Sequence, residues 1–216
     1  MNKILRIISS AFFPERCPYC DETVHAGEHA CPECMAQFPE TIREGHAIGG
    51  YQYTAPFPYN GIFAEAVKGF KFRGHKEYAE KLAWQITNAI NESFDIEQID
   101  YITCVPMHKN QLKKRGYNQS ELLAEWISKQ LNIPYEKLLI KHKENQPQHS
   151  LLSSQKHDNV KGVYKAVNTD KIKGNNILVI DDILTTGHTL GECCRILSKA
   201  GGRKIYCATL CAKIIR

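Results

Sequence analysis

The sequence predicts an α/β fold, a mostly parallel sheet flanked by helices, with a small cysteine-rich module ahead of it. Three observations support this prediction. From residue 96 onward, short apolar runs alternate with helical patterns, which is typical of parallel sheets. Residues 177–180 are continuously apolar, as in a buried strand. Two Cys-x-x-Cys pairs lie within residues 17–34, ahead of this alternation.

Apolar spacing and turn residues predict each element of the α/β part. Residues 101–105 are an apolar run stopped by Pro106, which predicts a buried strand. Residues 119–131 show helical spacing, with Asn118 or Ser120 as the predicted cap. A long polar loop is predicted over residues 141–160. The remaining predictions are strand-like residues 49–53, helices near 62–70, 75–91 and 188–200, and strands at 177–180 and 204–210.

Composition and charge are those of an ordinary folded protein. Hydrophobic residues make up 43% of the chain and charged residues 24%, which favours a packed core over disorder. The net charge of +5 permits an anionic ligand or a nucleic acid without requiring either. Five of the nine cysteines are scattered through apolar or helical stretches. Because this scatter is typical of reduced thiols, we expect a cytoplasmic protein.

We predict two domains, one over residues 1–45 and one over residues 46–216. The first holds the cysteine pairs and a short amphipathic helix within its first thirteen residues. The apolar run of that helix is short and is interrupted by Arg6 and two serines, so we do not predict a signal peptide. No stretch has the length that a membrane-spanning helix needs.

The cysteine pairs predict a structural zinc site. Each Cys-x-x-Cys forms a tight turn that directs two sulfurs to one point, and four thiolates leave a tetrahedral Zn²⁺ no open position. The alternatives are a redox pair, an iron–sulfur cluster, or a ligand taken from His25 or His29 between the pairs. The doubled motif favours zinc held by four cysteines. The predicted ligands are Cys17, Cys20, Cys31 and Cys34.

The sharpest functional signal follows the apolar run 177–180. Asp181 and Asp182 come directly after it, and ligands of open α/β sheets bind at this end of the strands. Adjacent carboxylates can accept hydrogen bonds from vicinal hydroxyls such as those of a ribose. Residues 185–189 lead into a helix, where threonine hydroxyls and backbone N–H groups bind phosphate. The combination suits a sugar phosphate, and the alternative is an ordinary strand–turn–helix with solvated acids.

A second segment with anion-binding groups follows the strand at 101–105. Its turn begins with Met107 and His108. Because the carboxyl ends of parallel strands meet at one edge of a sheet, turn amides and basic side chains there can bind diphosphate oxygens near Asp181. A solvated basic loop is the alternative. The basic residues are Lys109, Lys113, Lys114 and Arg115.

The segment 177–189 resembles the signature of type I phosphoribosyltransferases that binds phosphoribosyl pyrophosphate (PRPP). The resemblance implies the type I phosphoribosyltransferase fold, and Mg²⁺ bound together with PRPP. It implies that Asp181 and Asp182 hold the ribose hydroxyls and that residues 185–189 wrap the 5′-phosphate. His188 stands where relatives commonly have a small residue. The implied catalytic residues are Asp181, Asp182, Lys109 and Arg115. The implied PRPP-binding residues are Asp181, Asp182, Thr185, Thr186, Gly187, His188, Thr189, Met107 and His108.

Nearly the whole chain resembles the ComF family, which is tied to DNA uptake during bacterial competence. The resemblance implies an N-terminal zinc knob, a part in natural transformation, and a lid over residues 141–160 that closes over PRPP. Lys141, Asn145 and Lys156 depart from the Arg, Thr and Arg of relatives, and lysine lacks the planar fork of arginine. The matching pieces are CPYC with CPEC, KGFKFRG (68–74), VPMHKNQLKKRGYNQSELLA (105–124), Gln148 with NVKG (159–162), and VIDDILTTGHTL (179–190).

Three functions remain open. The first is an enzyme that transfers phosphoribosyl from PRPP to an unnamed acceptor. The second is a non-catalytic PRPP or nucleotide sensor that binds single-stranded DNA, for which solvated charges and core aromatics are the alternative. The third is an adaptor for other competence proteins, such as a DNA-uptake helicase. The leading candidate DNA contacts are Lys71, Arg73, Lys113 and Lys114, with Phe70, Phe72 and Tyr117 available for stacking.

Overall fold

The computed structural model describes residues 15–47, 49–143 and 162–213. The strands in chain order are β1 (Arg43–His46), β2 (Gln52–Ala55), β3 (Phe57–Pro58), β4 (Tyr101–Cys104), β5 (Leu139–Lys141), β6 (Tyr164–Ala166), β7 (Asn176–Leu184) and β8 (Lys204–Ala212). The main sheet has the order β1-β2-β8-β7-β4, with β3 also paired to β8. All its pairings are parallel except β1 with β2. The predicted mostly parallel α/β sheet is confirmed.

Helices cover both faces of this sheet. They are α1 (Pro32–Met35), α2 (Gly61–Phe72), α3 (Ala79–Ser93), α4 (Lys109–Arg115), α5 (Gln119–Leu131) and α6 (His188–Lys199), with 3₁₀ turns at Lys76–Tyr78, Ile96–Gln98 and Thr169–Lys171. One core cluster joins α2, α3 and α5 to Leu178, Ile180 and Ala208. A second cluster joins α6 and the β5–β6 ribbon to Ile177 and Val179. None of the described helices is both long and apolar enough to cross a membrane.

The structure confirms the predicted bounds of α5 and corrects its predicted capping. Asn118 does stand at the N-cap position of this helix, but its side chain makes no hydrogen bond to the helix. Its Nδ2 donates instead to the carbonyl oxygen of Val105 at 3.1 Å. Ser120 lies within the helix, and its hydroxyl donates to Asp181. Both side chains therefore serve the carboxyl edge of the sheet, and neither caps the helix.

The strand β7 is longer than the predicted run 177–180. It continues through Asp181 and Asp182 to Leu184, because β8 extends alongside it as far as the pairing of Leu184 with Ala212. The acidic pair therefore lies inside the strand and does not follow it. Two antiparallel pairings, β1 with β2 and β5 with β6, were not predicted.

Some predictions concern residues that the structure does not describe. The N-terminal helix within residues 1–13 lies outside the described residues. So do residues 144–160 of the predicted lid, with Asn145, Gln148 and Lys156 among them. The start of that predicted loop is wrong, because Lys141 is the last residue of β5 and pairs with Tyr164 of β6.

The cysteine-rich module packs directly on the α/β domain. Tyr19, between the first two cysteines, lies edge-on to Phe57 and Phe63 at centroid distances of 5.8 and 5.9 Å. His29 stacks on Trp84 of α3 at 4.2 Å. Three of the four paired cysteines belong to the same buried cluster as α2 and α3. The module and the α/β domain therefore share one hydrophobic core.

Candidate functional site

The acidic pair lies near the carboxyl end of β7, which pairs with β8 on one side and with β4 on the other. Asp182 is buried, and its Oδ1 lies 2.8 Å from Nζ of Lys71, at the end of α2. Oδ1 of Asp181 accepts hydrogen bonds from the Ser120 hydroxyl at 2.7 Å and from the Asp182 N–H at 2.9 Å. In both aspartates the second carboxylate oxygen has no hydrogen bond or ion pair among these contacts, so each can accept a hydrogen bond from a ligand.

Burial controls the protonation of Asp181. Loss of solvent and the neighbouring Asp182 charge raise the pKa of Asp181 to about 7, against the opposing effect of Lys71. Burial tends to lower the pKa of Lys71, but the two carboxylates outweigh it and raise that pKa above the ordinary value. Lys71 is therefore a cation at neutral pH, placed beside two carboxyl groups of which Asp181 is only partly ionised.

Residues 185–189 follow β7 and begin α6. Gly187 is the N-cap of this helix and has a φ of +77°, a left-handed conformation that glycine adopts without strain. Thr185, Thr186 and Thr189 are half-buried and line the same cleft as the acidic pair. The N-terminus of the twelve-residue helix α6 directs backbone N–H groups and a partial positive charge at this cleft. The arrangement suits a phosphate group.

The turn after β4 forms the opposite wall of the cleft. Val105, Pro106 and Met107 line it, and the bond from Asn118 to Val105 holds the turn in place. Arg115, the last residue of α4, brings a positive charge to the same wall. The cleft has a volume of about 250 Å³, within the order expected for a small polar ligand.

The structure brings most of the predicted catalytic and PRPP-binding residues together and leaves one of each, Lys109 and His108, outside the lining of the cleft. His108 is buried at the N-cap of α4, where its Nδ1 accepts from the Asn110 N–H at 3.3 Å. Lys109 lines an adjacent cavity of about 210 Å³ with Cys104 and Tyr135. The predicted residues that line the cleft are Met107, Arg115, Asp181, Asp182, Thr185, Thr186, Gly187, His188 and Thr189.

Sequence reasoning missed several residues of the cleft. Lys71 was predicted to contact DNA, but its Nζ points to Asp182 and only 21% of its side chain is exposed. Ser120 was considered only as a helix cap. Gln111 and Tyr164 also line the cleft, and nothing in their local sequence signals this position. Lys141, which the resemblance assigned to the lid, lines the cleft from the end of β5. All these residues reach the cleft through tertiary packing.

Of the other candidate DNA contacts, two are exposed lysines and one is an arginine that is hydrogen-bonded to its own helix. Lys113 and Lys114 are exposed on α4. Arg73 donates to the Glu65 carbonyl oxygen at 3.1 Å, so it is tied to its own helix. Of the three aromatic residues, Phe70 is fully buried and Tyr117 donates its hydroxyl to the Phe70 carbonyl. Phe72 is 68% exposed, and the Arg115 guanidinium lies 5.1 Å from its ring centroid.

The four paired cysteines form one cluster with the geometry of a zinc site. Their sulfur atoms all lie within 4.8 Å of one another, and none is in a disulfide. Zn–S bonds of about 2.3 Å in a tetrahedron place sulfurs about 3.8 Å apart. The sulfurs of Cys20 and Cys31 are 3.6 Å apart, and backbone N–H groups of Cys31 and Cys34 point at cluster sulfurs at 3.5 and 3.4 Å. The four sulfurs are therefore gathered closely enough to hold one Zn²⁺ ion.

Burial disfavours free thiolates at two of the four cysteines. It raises the pKa of Cys20 to about 11 in the absence of metal, and raises the pKa of Cys34 further above its ordinary value. Zinc binding must therefore release protons from these thiols. Burial also acts on Cys17, but hydrogen bonds from backbone N–H groups outweigh it and lower the pKa of that thiol. His25 and His29 are absent from the group of side chains that come together here, so the described residues support the four-cysteine ligand set.

Comparison with known families agrees with both sites. Residues 118–216 match the phosphoribosyl transferase domain, and residues 8–46 match the double zinc ribbon domain. Competence protein F of Haemophilus influenzae is 26% identical over 90% of this chain and 95% of its own length. Competence protein ComFC of Bacillus subtilis is 26% identical over 86% of this chain and 72% of its own length.

Solved structures with related folds are more distant. An adenine phosphoribosyltransferase from Thermoanaerobacter pseudethanolicus is 14% identical, with a TM-score of 0.44, over 83% of this chain and 99% of its own. Phosphoribosylpyrophosphate synthetase from Mycobacterium smegmatis is 16% identical over 62% of this chain, with a TM-score of 0.38. This chain spans only 33% of that synthetase.

The sheet, its flanking helices and the domain matches define a protein with a type I phosphoribosyltransferase fold and a structural zinc site in an N-terminal knob. Two of the relatives to which it is similar over most of its length are named competence proteins. Together with the two domain matches, these relatives support a ComF-family, competence-related protein with a phosphoribosyltransferase-like domain.

Proposed function

We propose that the cleft binds PRPP and that the protein transfers its phosphoribosyl group to an acceptor during the handling of incoming DNA in the cytoplasm. One observation carries the proposal. The acidic pair of β7 and the N-terminus of α6 face the same cleft, so a diol-binding group and a phosphate-binding group lie within reach of one sugar phosphate.

Each part of PRPP has a matching group in the cleft. The ribose hydroxyls donate to the second carboxylate oxygens of Asp181 and Asp182. The 5′-phosphate accepts from the N–H groups and hydroxyls of residues 185–189. The diphosphate meets the turn at residues 105–107 and the guanidinium of Arg115, which binds phosphate oxygens with two parallel N–H groups.

Mg²⁺ enters this proposal as a counter-ion of the diphosphate. Asp181 and Asp182 are the carboxylates among the described residues that line the cleft, and one oxygen of each is already engaged. These residues fit a metal held chiefly by diphosphate oxygens and water, which is the usual way that proteins bind Mg²⁺ with phosphates. When bound there, Mg²⁺ neutralises the charge of the diphosphate.

The proposed transfer breaks the bond between C1 of the ribose and the diphosphate oxygen. The diphosphate leaves with the electron pair, and the acceptor forms a new bond at C1 from the opposite side. Arg115 and the turn amides stabilise the charge that develops on the leaving group. The two acids orient the sugar, and the acceptor supplies the attacking electron pair.

Calorimetric titration with PRPP and Mg²⁺ tests the proposal. We expect the wild-type protein to bind, and the Asp181→Asn variant to bind at least about tenfold more weakly, because a charge-assisted hydrogen bond is worth about 1.5–3 kcal/mol. Asp170→Asn alters an exposed carboxyl outside the cleft and should bind like wild type. A wild-type protein that binds no PRPP would overturn the proposal, and equal binding by Asp181→Asn would overturn the assignment of the ribose contact.

A second candidate function is binding of single-stranded DNA at the mouth of the cleft. The observation that favours it is the exposed ring of Phe72, which lies under the guanidinium of Arg115. Arg115 belongs to α4, the helix that also carries the exposed Lys113 and Lys114. Arg115 also lines the cleft, so a base stacked on Phe72 would lie next to the sugar phosphate site. Aromatic platforms flanked by cations bind single strands without sequence preference.

Fluorescence anisotropy with a labelled oligothymidylate measures this second function. We expect Phe72→Ala to weaken binding about 5- to 100-fold, because stacking contributes about 1–3 kcal/mol per base. Met35→Ala removes another exposed apolar side chain, in the zinc knob, and should have no effect. Unchanged DNA affinity in Phe72→Ala, or binding that does not weaken with added salt, would count against the DNA surface.

A further inference from the structure

We infer that Lys71 is a third member of the ribose site and supplies the positive charge at the acidic pair, so that ribose 5-phosphate binds without a divalent cation. The inference rests on the proposed function and deepens it. It extends the ligands of the cleft to compounds that carry a ribose 5-phosphate but no diphosphate, such as nucleoside 5′-monophosphates.

The position of Lys71 on α2 is set by the packing of that helix. Val67, one turn earlier, and the neighbouring Phe70 are buried in the core, which holds the last turn of α2 against the sheet. Lys71 then reaches past the core to the end of β7, where its Nζ lies 2.8 Å from Asp182. Lys68 on the same helix is half exposed and pairs with Glu65 at 2.7 Å. Two lysines three residues apart thus have different partners.

The environment of Asp182 makes a nearby cation necessary. Only 6% of the Asp182 side chain is exposed, and Asp181 directly precedes it in the same strand. Two carboxyl groups in a poorly solvated site repel each other unless a positive charge is close. Lys71 provides that charge by direct contact with Asp182 before any ligand arrives, and Arg115 and Lys141 also line the cleft.

The charge balance decides which ligands require a metal. The vicinal hydroxyls of a ribose are neutral, so their hydrogen bonds to the second oxygens of Asp181 and Asp182 leave the balance unchanged. The 5′-phosphate is bound separately, at the N-terminus of α6. A diphosphate adds further negative charge beside the turn at residues 105–107 and Arg115. Mg²⁺ is needed only to offset that additional charge. The sugar phosphate site is therefore complete in the protein.

Calorimetry with ribose 5-phosphate, in buffers containing either EDTA or MgCl₂, tests the inference. We expect the wild-type dissociation constant to change less than about twofold between the two buffers. Lys71→Met should bind at least about tenfold more weakly in EDTA. MgCl₂ should restore part of that loss, because the carboxylate of Asp182 is then open to a cation. Lys68→Met is the matched control on the same helix and should behave as wild type in both buffers.

The outcomes separate this inference from the proposed function. If wild type binds PRPP with Mg²⁺ but loses ribose 5-phosphate in EDTA, the inference is overturned and the proposed function stands. If wild type binds neither compound in either buffer, the proposed function fails. Equal binding by Lys71→Met and wild type, or a loss in Lys71→Met that MgCl₂ does not change, would also overturn the inference. If Lys71→Met does not fold, Lys71→Arg keeps the charge and should still bind ribose 5-phosphate in EDTA.

Discussion

Replacing Cys34 with alanine is expected to lower the free energy of unfolding by at least about 3 kcal/mol and to abolish stoichiometric zinc binding. A zinc ion held by four thiolates contributes to folding directly, because the unfolded chain has no preformed site. The variant leaves three thiols of a largely buried cluster without their metal. That loss is large compared with the free energy of unfolding of a typical protein, which is about 5–15 kcal/mol.

The effect should extend beyond the zinc knob because the knob and the α/β domain share a core. Tyr19 of the knob packs against Phe57 and Phe63, and these two rings stack on each other at 4.3 Å. Phe63 lies in the first turn of α2, whose last turn carries Lys71 into the cleft. Zinc loss is therefore expected to weaken ribose 5-phosphate binding as well as stability.

Denaturation of a single-tryptophan protein measures the effect. The chain has two tryptophans, so Trp126→Phe leaves Trp84, which stacks on His29 of the knob, as the sole reporter. Cys194→Ala, in the same background, removes a fully buried sulfur outside the zinc cluster and should cost only about 1 kcal/mol. Similar costs for Cys34→Ala and Cys194→Ala would contradict the prediction. So would a wild-type protein whose stability is unchanged after a chelator removes its zinc.

The parts of the fold that depend on local pattern were predictable from the sequence. The helix at residues 119–131 has the predicted bounds, because its apolar stripe and its flanking residues lie within the helix itself. The four zinc ligands were predictable for a related reason, since each pair closes within one turn of chain. Residues 185–189 line the cleft because they connect directly to β7.

The parts that depend on distant partners were not predictable. The length of β7 is set by its ladder with β8, so the sequence of β7 alone did not reveal that Asp181 and Asp182 lie within the strand. Lys71 looks like an ordinary surface lysine on an amphipathic helix, and only the docking of α2 on the sheet brings it to Asp182. The assignment of Lys71 to DNA followed from charge alone, which carries no information about which partner the charge meets.

The second large effect concerns the stability of the ligand-free cleft. Asp181→Asn is expected to raise the free energy of unfolding by about 1–3 kcal/mol at pH 8. Burial and the charge of Asp182 raise the pKa of Asp181 to about 7 in the folded protein, whereas an unfolded aspartate titrates near pH 4. The folded protein therefore holds its proton more tightly, and ionisation of Asp181 destabilises the fold. An amide in its place can still accept from Ser120 and from the Asp182 N–H.

The pH dependence identifies the cause. Since the pKa of Asp181 is higher in the folded state, its unfavourable effect begins near pH 4 and is complete above about pH 7. The gain from Asp181→Asn should therefore be largest at pH 8 and should shrink steadily as the pH falls toward 4. Urea unfolding at several pH values measures this, with Asp170→Asn as an exposed control. A gain that is independent of pH, or a loss of stability at pH 8, would contradict the prediction.

This variant also links stability to ligand binding. The same carboxylate that destabilises the empty cleft is the one that we propose accepts a ribose hydroxyl, so Asp181→Asn should gain stability while it loses affinity. Opposite changes of this kind are expected where a site holds a charge for its ligand and the fold alone does not need that charge. If the Asp181 carboxylate had a purely structural role, its substitution would lower the stability of the protein. The affinity of the remaining folded protein for its ligand would then be unchanged.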